Sequence, residues 1–244
     1  MTVKSKWGVL MAADGRTTIQ GQPPDDHTQK IIPILDPGLR TAMYALVGEV
    51  GNDDFDTRAE FARQISALAG EDLDPSQYVE AICRPIAEAM TKARYFPRTN
   101  ERLNSRWKIL TAVFAGCFGS SVGMVTVQFS HLHREVKAQI DVLRILKNGI
   151  VQLCQGPEKV YDQMYRPGGA GIPNSPFSHY IHPLGDDPSV SEAIRFAVGY
   201  IEACCSPLGR ELDPKAWEGI GGHIHVATIK PRSGFAWLIP PITG

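Results

Sequence analysis

The order of apolar patterns along this chain predicts an α+β fold, a four-layer αββα sandwich with two mainly antiparallel sheets between helix layers. Three observations predict it. Stretches with strand character come first, two helical stretches follow, and then strands, two further helices and strands complete the chain. Segregated runs of this kind favour antiparallel sheets over alternating β-α-β units. The length of 244 residues, 43% of them hydrophobic, also suits a single large core.

The first part of the chain predicts strands. Their expected positions, in order, are residues 3–7, 8–13, 30–35 and 40–48. The first alternates apolar and polar residues, whereas the second is a continuous apolar run that ends at Asp14. A polar loop at residues 20–29 separates the two pairs. Because Pro33 cannot donate a hydrogen bond to a neighbouring strand, we expect residues 30–35 to be short or to lie at a sheet edge.

Helical periodicity replaces this pattern at residues 54–68 and again at residues 75–93. The acidic residues at 53–54, or Asp56, are suited to cap the first helix. Pro85 lies inside the second helical stretch. Since proline removes a backbone donor and crowds the preceding turn, we expect the second helix to be kinked or split there.

The rest of the chain repeats the two patterns. We expect strands at 107–117 and 122–129, helices at 157–165 and 190–205, and a C-terminal hairpin of strands 223–230 and 235–239. Residues 166–188, rich in proline, glycine and histidine, form the longest irregular segment and are interpreted as an insertion or a lid. Without internal repeats or low-complexity tracts, residues 1–244 are predicted to form one domain.

Composition excludes several classes of protein. A formal net charge of −1 gives no general attraction to nucleic acid or to anionic membranes. No apolar run is long enough to span a bilayer, and residues 1–7 lack the apolar core of a secretory signal. The five cysteines show no CxxC spacing and are interpreted as reduced thiols. The expected location is the cytoplasm.

Four short motifs occur in a fixed order. They are the strand at 8–13 with its Asp-Gly-Arg-Thr-Thr continuation, Lys30, the strand end at 45–48, and the Gly-Gly-strand at 221–229. This ordered set resembles the β-type subunits of proteasomes and the bacterial peptidases related to them, which are N-terminal-nucleophile (Ntn) hydrolases. The separation of Lys30 from Asp14 is the one that this family uses between its acidic residue and its catalytic lysine. The resemblance covers nearly the whole chain.

The resemblance implies a specific chemistry. In this family, a threonine at the processed N-terminus attacks the amide through its hydroxyl, and its own amine or a water takes the proton. A nearby lysine keeps the potential positive, and an acidic residue holds that lysine in place. By this resemblance, Thr2 is the candidate nucleophile after removal of Met1, Lys30 the catalytic lysine and Asp14 its partner. On the residues alone, the favoured interpretation of Asp14 and Lys30 is a salt bridge at the strand end that closes a loop, and the resemblance reverses this preference.

The sequence departs from the family pattern at two places. Thr2 precedes Asp14 by twelve residues, about four fewer than in the family, and at about 3.3 Å per strand residue this displaces the hydroxyl by more than about 10 Å. The supporting serines of the family are also missing, at residues 154–157 and 217–222. A shorter hairpin, or a start codon placed downstream of the true one, would account for the first difference.

The leading functional hypothesis is therefore a threonine-type peptidase of the proteasome-like class, which needs no cofactor. Its substrates would be peptides or unfolded proteins. The resemblance implies a homo-oligomeric ring or spiral, served by an ATPase unfoldase. The alternative is a catalytically inactive structural or interaction subunit with the same fold.

A third hypothesis uses histidines as metal ligands. His131 and His133 form one His-x-His pair, and His223 and His225 form another. On a strand, each pair would present two imidazoles on one face, and four such nitrogens could bind zinc. The alternative interpretation, that these are ordinary solvent-facing or interface histidines, is favoured.

Overall fold

The computed structural model describes residues 1–18, 22–36, 39–48, 51–52, 55–94, 107–118, 121–143, 151–166 and 170–242. The chain divides into two compact units. The first consists of residues 1–32 and 145–244, and the second of residues 33–144. Each is built on a five-stranded sheet with its own helices, and this confirms the predicted α+β class with two antiparallel sheets. The prediction of one domain stays a prediction.

The strands, numbered in chain order, are β1 (Thr2–Ser5), β2 (Gly8–Ala13), β3 (Ile31–Asp36), β4 (Arg40–Gly48), β5 (Gly51–Asn52), β6 (Phe55–Asp56), β7 (Trp107–Phe118), β8 (Ser121–Leu132), β9 (Glu135–Leu143), β10 (Val151–Leu153), β11 (His225–Lys230) and β12 (Gly234–Ile239). The helices are α1 (Thr57–Ala67), α2 (Pro75–Lys92), α3 (Glu158–Met164), α4 (Val190–Cys205), α5 (Pro207–Leu212) and α6 (Pro214–Glu218), with a 3-10 turn at Ser178–Tyr180. Within the described part of the chain, none of these helices combines the length and apolar character needed to cross a membrane.

The first unit has the strand order β10-β1-β2-β11-β12. Strands β1 and β2 form the predicted hairpin, in which Ser5 lies opposite Gly8 and Thr2 opposite Met11. Gly8 has a φ of 136°, and a Cβ there would lie 2.1 Å from the carbonyl oxygen of Ile229. Glycine is therefore required where this hairpin approaches β11. The tight turn fixes the register of the whole first strand.

Helix α4 covers one face of this sheet. It begins at a capping box, in which Ser189 accepts a hydrogen bond from the amide of Glu192 and the Glu192 carboxylate accepts from the amide of Ser189. The buried side of the helix contributes Phe196 and Tyr200 to a core that also contains Val3 and Leu10 of the hairpin. The apolar side chains that recur at the helical period of α4 are thus the main source of buried apolar surface in this unit.

The irregular segment at 166–188 packs into the same core. Phe177 is fully buried, Leu184 is 7% exposed, and both belong to the core cluster of the first unit. Ser175 ties the segment to α3, because its hydroxyl donates a 2.5 Å hydrogen bond to the carbonyl of Gln163. Residues 167–169 of the predicted insertion lie outside the described residues. The described part is an irregular stretch anchored by one large aromatic side chain.

The second unit has the strand order β3-β4-β7-β8-β9. Strand β3, which contains Pro33, lies at the sheet edge as predicted. Phe61 of α1 is fully buried, and its ring centroid lies 5.5 Å from that of Tyr44 and 6.1 Å from that of Phe114. These aromatic contacts attach the helix to the sheet.

Two sequence-based expectations need correction. Helix α2 runs without interruption through Pro85, so of the two effects expected there, a kink or a split, the split is wrong. A buried apolar face on both sides of the proline keeps the helix in one piece. Strand β9 was not predicted, although Glu135–Leu143 alternates polar and apolar residues with the period of a strand. Its polar positions lower the overall hydrophobicity of that stretch. Asp56 is confirmed as the cap of α1, since its carboxylate accepts from the amides of Arg58 and Ala59.

Candidate functional site

Asp14 and Lys30 form an ion pair at one end of the first sheet. Asp14 is the first residue after β2, and Lys30 is the last residue before β3. The Lys30 Nζ lies 2.9 Å from Oδ2 of Asp14, and the two side chains are only 17% and 15% exposed. The structure therefore brings together two of the three residues that the sequence nominated. At this degree of shielding, the pair interacts more strongly than a surface salt bridge.

The carboxylate of Asp14 has two further donors. Its Oδ2 accepts a hydrogen bond from the amide of Gly221 at 3.1 Å and one from the amide of Arg16 at 3.2 Å. Three donors thus converge on one oxygen, and two of them, Lys30 and Gly221, come from other parts of the sequence. Hydrogen bonds from amides and an ammonium group stabilise an ionised carboxylate and hold it in a single orientation.

The Gly-Gly motif before β11 is explained by this convergence. Gly222 has a φ of 71°, and a Cβ there would lie 2.3 Å from the carbonyl oxygen of Asp26. Asp26 in turn receives both the Nε and Nη2 donors of Arg16, at 2.6 and 3.0 Å. The motif allows the strand to pass close to the loop that carries Asp26 and Lys30. Its role is to let the charged loop approach the sheet.

His225 supports the backbone that carries Lys30. Its Nε2 accepts hydrogen bonds from the amides of Lys30 and Ile31, at 3.0 and 3.3 Å, and the residue is 1% exposed. Burial lowers the pKa of His225 to about 4, although a backbone hydrogen bond with His223 opposes this shift. The imidazole is consequently neutral at pH 7. Sequence reasoning missed this role; the available signal was a histidine at the start of an otherwise apolar, buried strand.

Thr2 lies elsewhere on the sheet. It pairs with Met11, and Asp14 lies three residues beyond Met11, a displacement of about 10 Å along the strand. Thr2 is also 3% exposed. The turn of this hairpin has two residues, and the resulting register leaves the Thr2 hydroxyl away from Lys30. The structure does not place the third nominated residue beside the other two.

The α-amino group of Met1 lies nearer to the charged pair. It donates a 2.9 Å hydrogen bond to the carbonyl of Ala12, two residues before Asp14. Burial lowers the pKa of this amine, while the nearby Cys154 and Asp14 act in the opposite direction. Lys30 acts electrostatically on the same amine and lowers its pKa further. At pH 7 a buried amine with a lowered pKa is more often in its neutral form, and only that form can accept a proton.

Cys154 lies in the stretch where the resemblance expects a supporting serine. Burial raises the pKa of this thiol above its ordinary value. Cys154 is therefore protonated at neutral pH. The thiol is consequently not an activated nucleophile.

The histidine pairs do not form the arrangement that the metal hypothesis required. His131 is the penultimate residue of β8, whereas His133 lies in the following turn with a φ of 51°. The Nε2 of His223 lies 2.8 Å from the carbonyl oxygen of Pro240, and His225 is directed towards Lys30. Across the described ranges, no group of three or more His, Cys, Asp or Glu side chains could hold a metal ion.

Comparison with known proteins gives matches among solved structures. No protein-family model matches the sequence, and no curated protein does. The structure is similar to that of Anbu, an ancestral beta-subunit from Yersinia bercovieri, with a TM-score of 0.51 and 12% identity over 98% of this chain and 87% of that one. A second similar structure is an Anbu (Gly-1) mutant from Hyphomicrobium sp. strain MC1, with a TM-score of 0.49 and 14% identity, covering 98% and 86% of the respective chains. The first likeness shows that the chain has the proteasome-type fold predicted from its motifs.

Proposed function

We propose that this chain is a proteasome-like peptidase subunit that hydrolyses amide bonds at the site built around Asp14 and Lys30. The observation that supports the proposal most directly is the shielded 2.9 Å contact between Lys30 Nζ and Asp14 Oδ2. A fixed ammonium group at this place lowers the pKa of a neighbouring amine and stabilises a developing oxyanion.

The nucleophile in this proposal is the Thr2 hydroxyl, made available when Met1 is removed. The freed amine of Thr2 would serve as the general base. In the observed register, Thr2 is about 10 Å short of Asp14 along the strand. The proposal therefore requires β1 to move towards the Asp14 end of β2 once Met1 no longer donates to Ala12. This requirement makes the proposal easy to test.

The second candidate function is a non-catalytic subunit of the same fold. The observation that favours it is the pairing of Thr2 with Met11, together with the burial of Thr2. In this case, the pair of Asp14 and Lys30 would be a structural contact that joins β2, the loop before β3 and the Gly-Gly motif. Its three hydrogen-bonded segments are sufficient for that role.

Both candidates include self-association into a ring or spiral in the cytoplasm. Peptides or unfolded protein chains would be the substrates of the catalytic form, and an ATPase unfoldase would be its partner. An enclosed assembly gives such a peptidase its selectivity, because only extended chains reach the sites. Light scattering of the purified full-length chain is expected to show an assembly, and a strict monomer would count against both candidates.

The decisive experiment is intact-mass analysis before and after treatment with a peptide epoxyketone. This reagent reacts with the hydroxyl and the free amine of an N-terminal threonine together. We expect loss of Met1 and addition of one inhibitor per chain, with hydrolysis of a fluorogenic peptide abolished by the adduct. Thr2→Ala and Lys30→Met should each remove both signals.

The matched control is Thr28→Ala, which removes a threonine hydroxyl bonded only to Asp25 among its described contacts. This variant should keep the adduct and the activity. If Met1 is retained, or if the wild-type chain forms no adduct, the peptidase proposal fails and the non-catalytic candidate stands.

A further inference from the structure

We propose that His225 is a positioning residue that holds Lys30 in place for the proposed peptidase site. It does so by accepting the backbone amides of Lys30 and Ile31 on one ring nitrogen. The inference rests on the proposed function for its catalytic consequence. The protonation state of the His225 ring and its hydrogen bonds to the two amides do not depend on any activity.

The hydrogen-bond geometry defines the state of the imidazole. Nε2 faces two N–H donors, at 3.0 Å from Lys30 and 3.3 Å from Ile31. A nitrogen that accepts cannot carry a proton, so the neutral ring has its hydrogen on Nδ1. A hydrogen bond with the backbone of His223 accompanies this arrangement. If the Nε2 atom were protonated, three N–H groups would point at one another, and the loop would be forced away.

The position of His225 in the sheet connects it to both members of the ion pair. It is the first residue of β11 and lies opposite Ala13, the residue immediately before Asp14. Through its backbone it therefore belongs to the ladder that fixes Asp14, and through its ring it fixes Lys30. One residue thus contacts the two segments that carry the ammonium group and the carboxylate. A buried polar side chain with this many partners is expected to be held rigidly.

The surroundings of the ring favour a fixed orientation. His225 is 1% exposed, and its ring centroid lies 6.0 Å from that of Trp237 in an edge-on arrangement. The charged and titratable groups that act on it are Asp14, Lys30 and His223. Because both backbone donors are themselves poorly solvated, loss of the acceptor would leave two amides without a partner.

The test compares three variants of the full-length chain. His225→Phe keeps an aromatic ring but removes the acceptor. His225→Gln keeps an acceptor, since its Oε1 reaches about as far as the imidazole Nε2. His223→Gln is the matched control, because His223 is directed to the carbonyl oxygen of Pro240 and does not contact the Lys30 amide.

Amide hydrogen exchange is the first readout. We expect the Lys30 and Ile31 amides to exchange roughly tenfold faster in His225→Phe, because both lose their hydrogen-bond acceptor. Exchange at Thr228, within β11, should change little. His225→Gln should restore slow exchange at both amides, and His223→Gln should leave them as in the wild type.

The second readout is the nitrogen NMR spectrum of the wild-type ring at pH 7. It should show an unprotonated Nε2 and a protonated Nδ1, which a merely space-filling histidine need not adopt. The opposite tautomer, or unchanged exchange at Lys30 and Ile31 in His225→Phe, would overturn the proposal. If His225→Phe does not fold, failure of His225→Gln to protect the two amides overturns it instead.

A third readout separates this inference from the proposed function. Where peptide hydrolysis is detected, His225→Phe should lower kcat with little change in KM, and His225→Gln should recover most of it. An unchanged kcat in His225→Phe would refute the positioning role. Where the wild-type chain hydrolyses nothing, the peptidase proposal fails, and the exchange and tautomer results still decide whether His225 holds Lys30.

Discussion

Thr2 lies opposite Met11 in the first hairpin, whereas the carboxylate of the candidate site belongs to Asp14, three residues further along β2. The two-residue turn between Ser5 and Gly8 fixes this register. Because successive side chains of a strand point to opposite faces, a slip by one residue would move the buried Val3 side chain out of the core of the first unit. The register is therefore strongly specified. Any catalytic use of Thr2 must therefore include a rearrangement of the first strand.

Replacement of Asp14 by asparagine should destabilise the protein by about 1–2 kcal/mol at pH 7, because a shielded ammonium group loses its ionic partner. Asparagine still accepts from the amide of Gly221, so the loop should remain closed. Urea unfolding measures the change. The control is Asp187→Asn at the exposed ion pair with Lys6, which should change stability by less than about 0.5 kcal/mol. Equal effects of the two variants would contradict the special role of the Asp14 pair.

Acid should weaken the fold through His225. Its pKa is lowered from 6.5 to about 4, so between these values the unfolded chain binds more protons than the folded one. The contribution to stability is complete above about pH 6.5 and falls progressively as the pH drops towards about 4, by at most about 3 kcal/mol.

This pH effect is isolated by comparison with His225→Gln, which cannot titrate. Between pH 7 and pH 4.5, the urea midpoint of the wild type should fall further than that of the variant. Carboxylates titrate in both proteins and cancel in the difference. Parallel losses of stability would show that His225 is not buried in its neutral form.

Alanine at Gly222 should cost at least about 2 kcal/mol, since alanine is strained at a φ of 71° and its Cβ would overlap the backbone at Asp26. Thermal unfolding provides the measurement. Gly185→Ala is the control, because a Cβ at Gly185 meets no atom within 4 Å. If the two variants unfold at the same temperature, the close approach of the Gly-Gly motif to the Asp26 loop is not as described.

Phe177→Ala should destabilise the first unit by about 3–5 kcal/mol, as expected for a fully buried aromatic side chain. The loss should also make residues 171–184 accessible to protease, which limited proteolysis with mass mapping would detect. Leu35→Ala, at a side chain that is 63% exposed in the second unit, should cost less than about 0.5 kcal/mol. Resistance of Phe177→Ala to both assays would mean that the segment is a loosely attached lid after all.

Local patterns predicted the elements that local physics controls. The bounds of β4 and α4 match the sequence-based expectations because a period of 2 or 3.6 with clear flanking residues is readable over a single window. Strand β9 was not predicted, because its alternate positions are polar and solvated and its apolar positions are few. Helix α2 passes through Pro85 because burial on both sides outweighs one missing hydrogen bond, a comparison that a local rule for proline does not make.

The same distinction between local and long-range effects applies to the candidate site. The sequence by itself, through motifs that resemble the proteasome-type family, predicted that Asp14 and Lys30, sixteen residues apart, form a pair. Only the tertiary structure decided that Thr2 faces Met11 and that His225, 195 residues from Lys30, holds the lysine backbone. The physical reason is that strand register and the choice of acceptor for a buried amide depend on which distant segments meet. That choice follows from packing of the whole unit and has no signature in a short stretch of sequence.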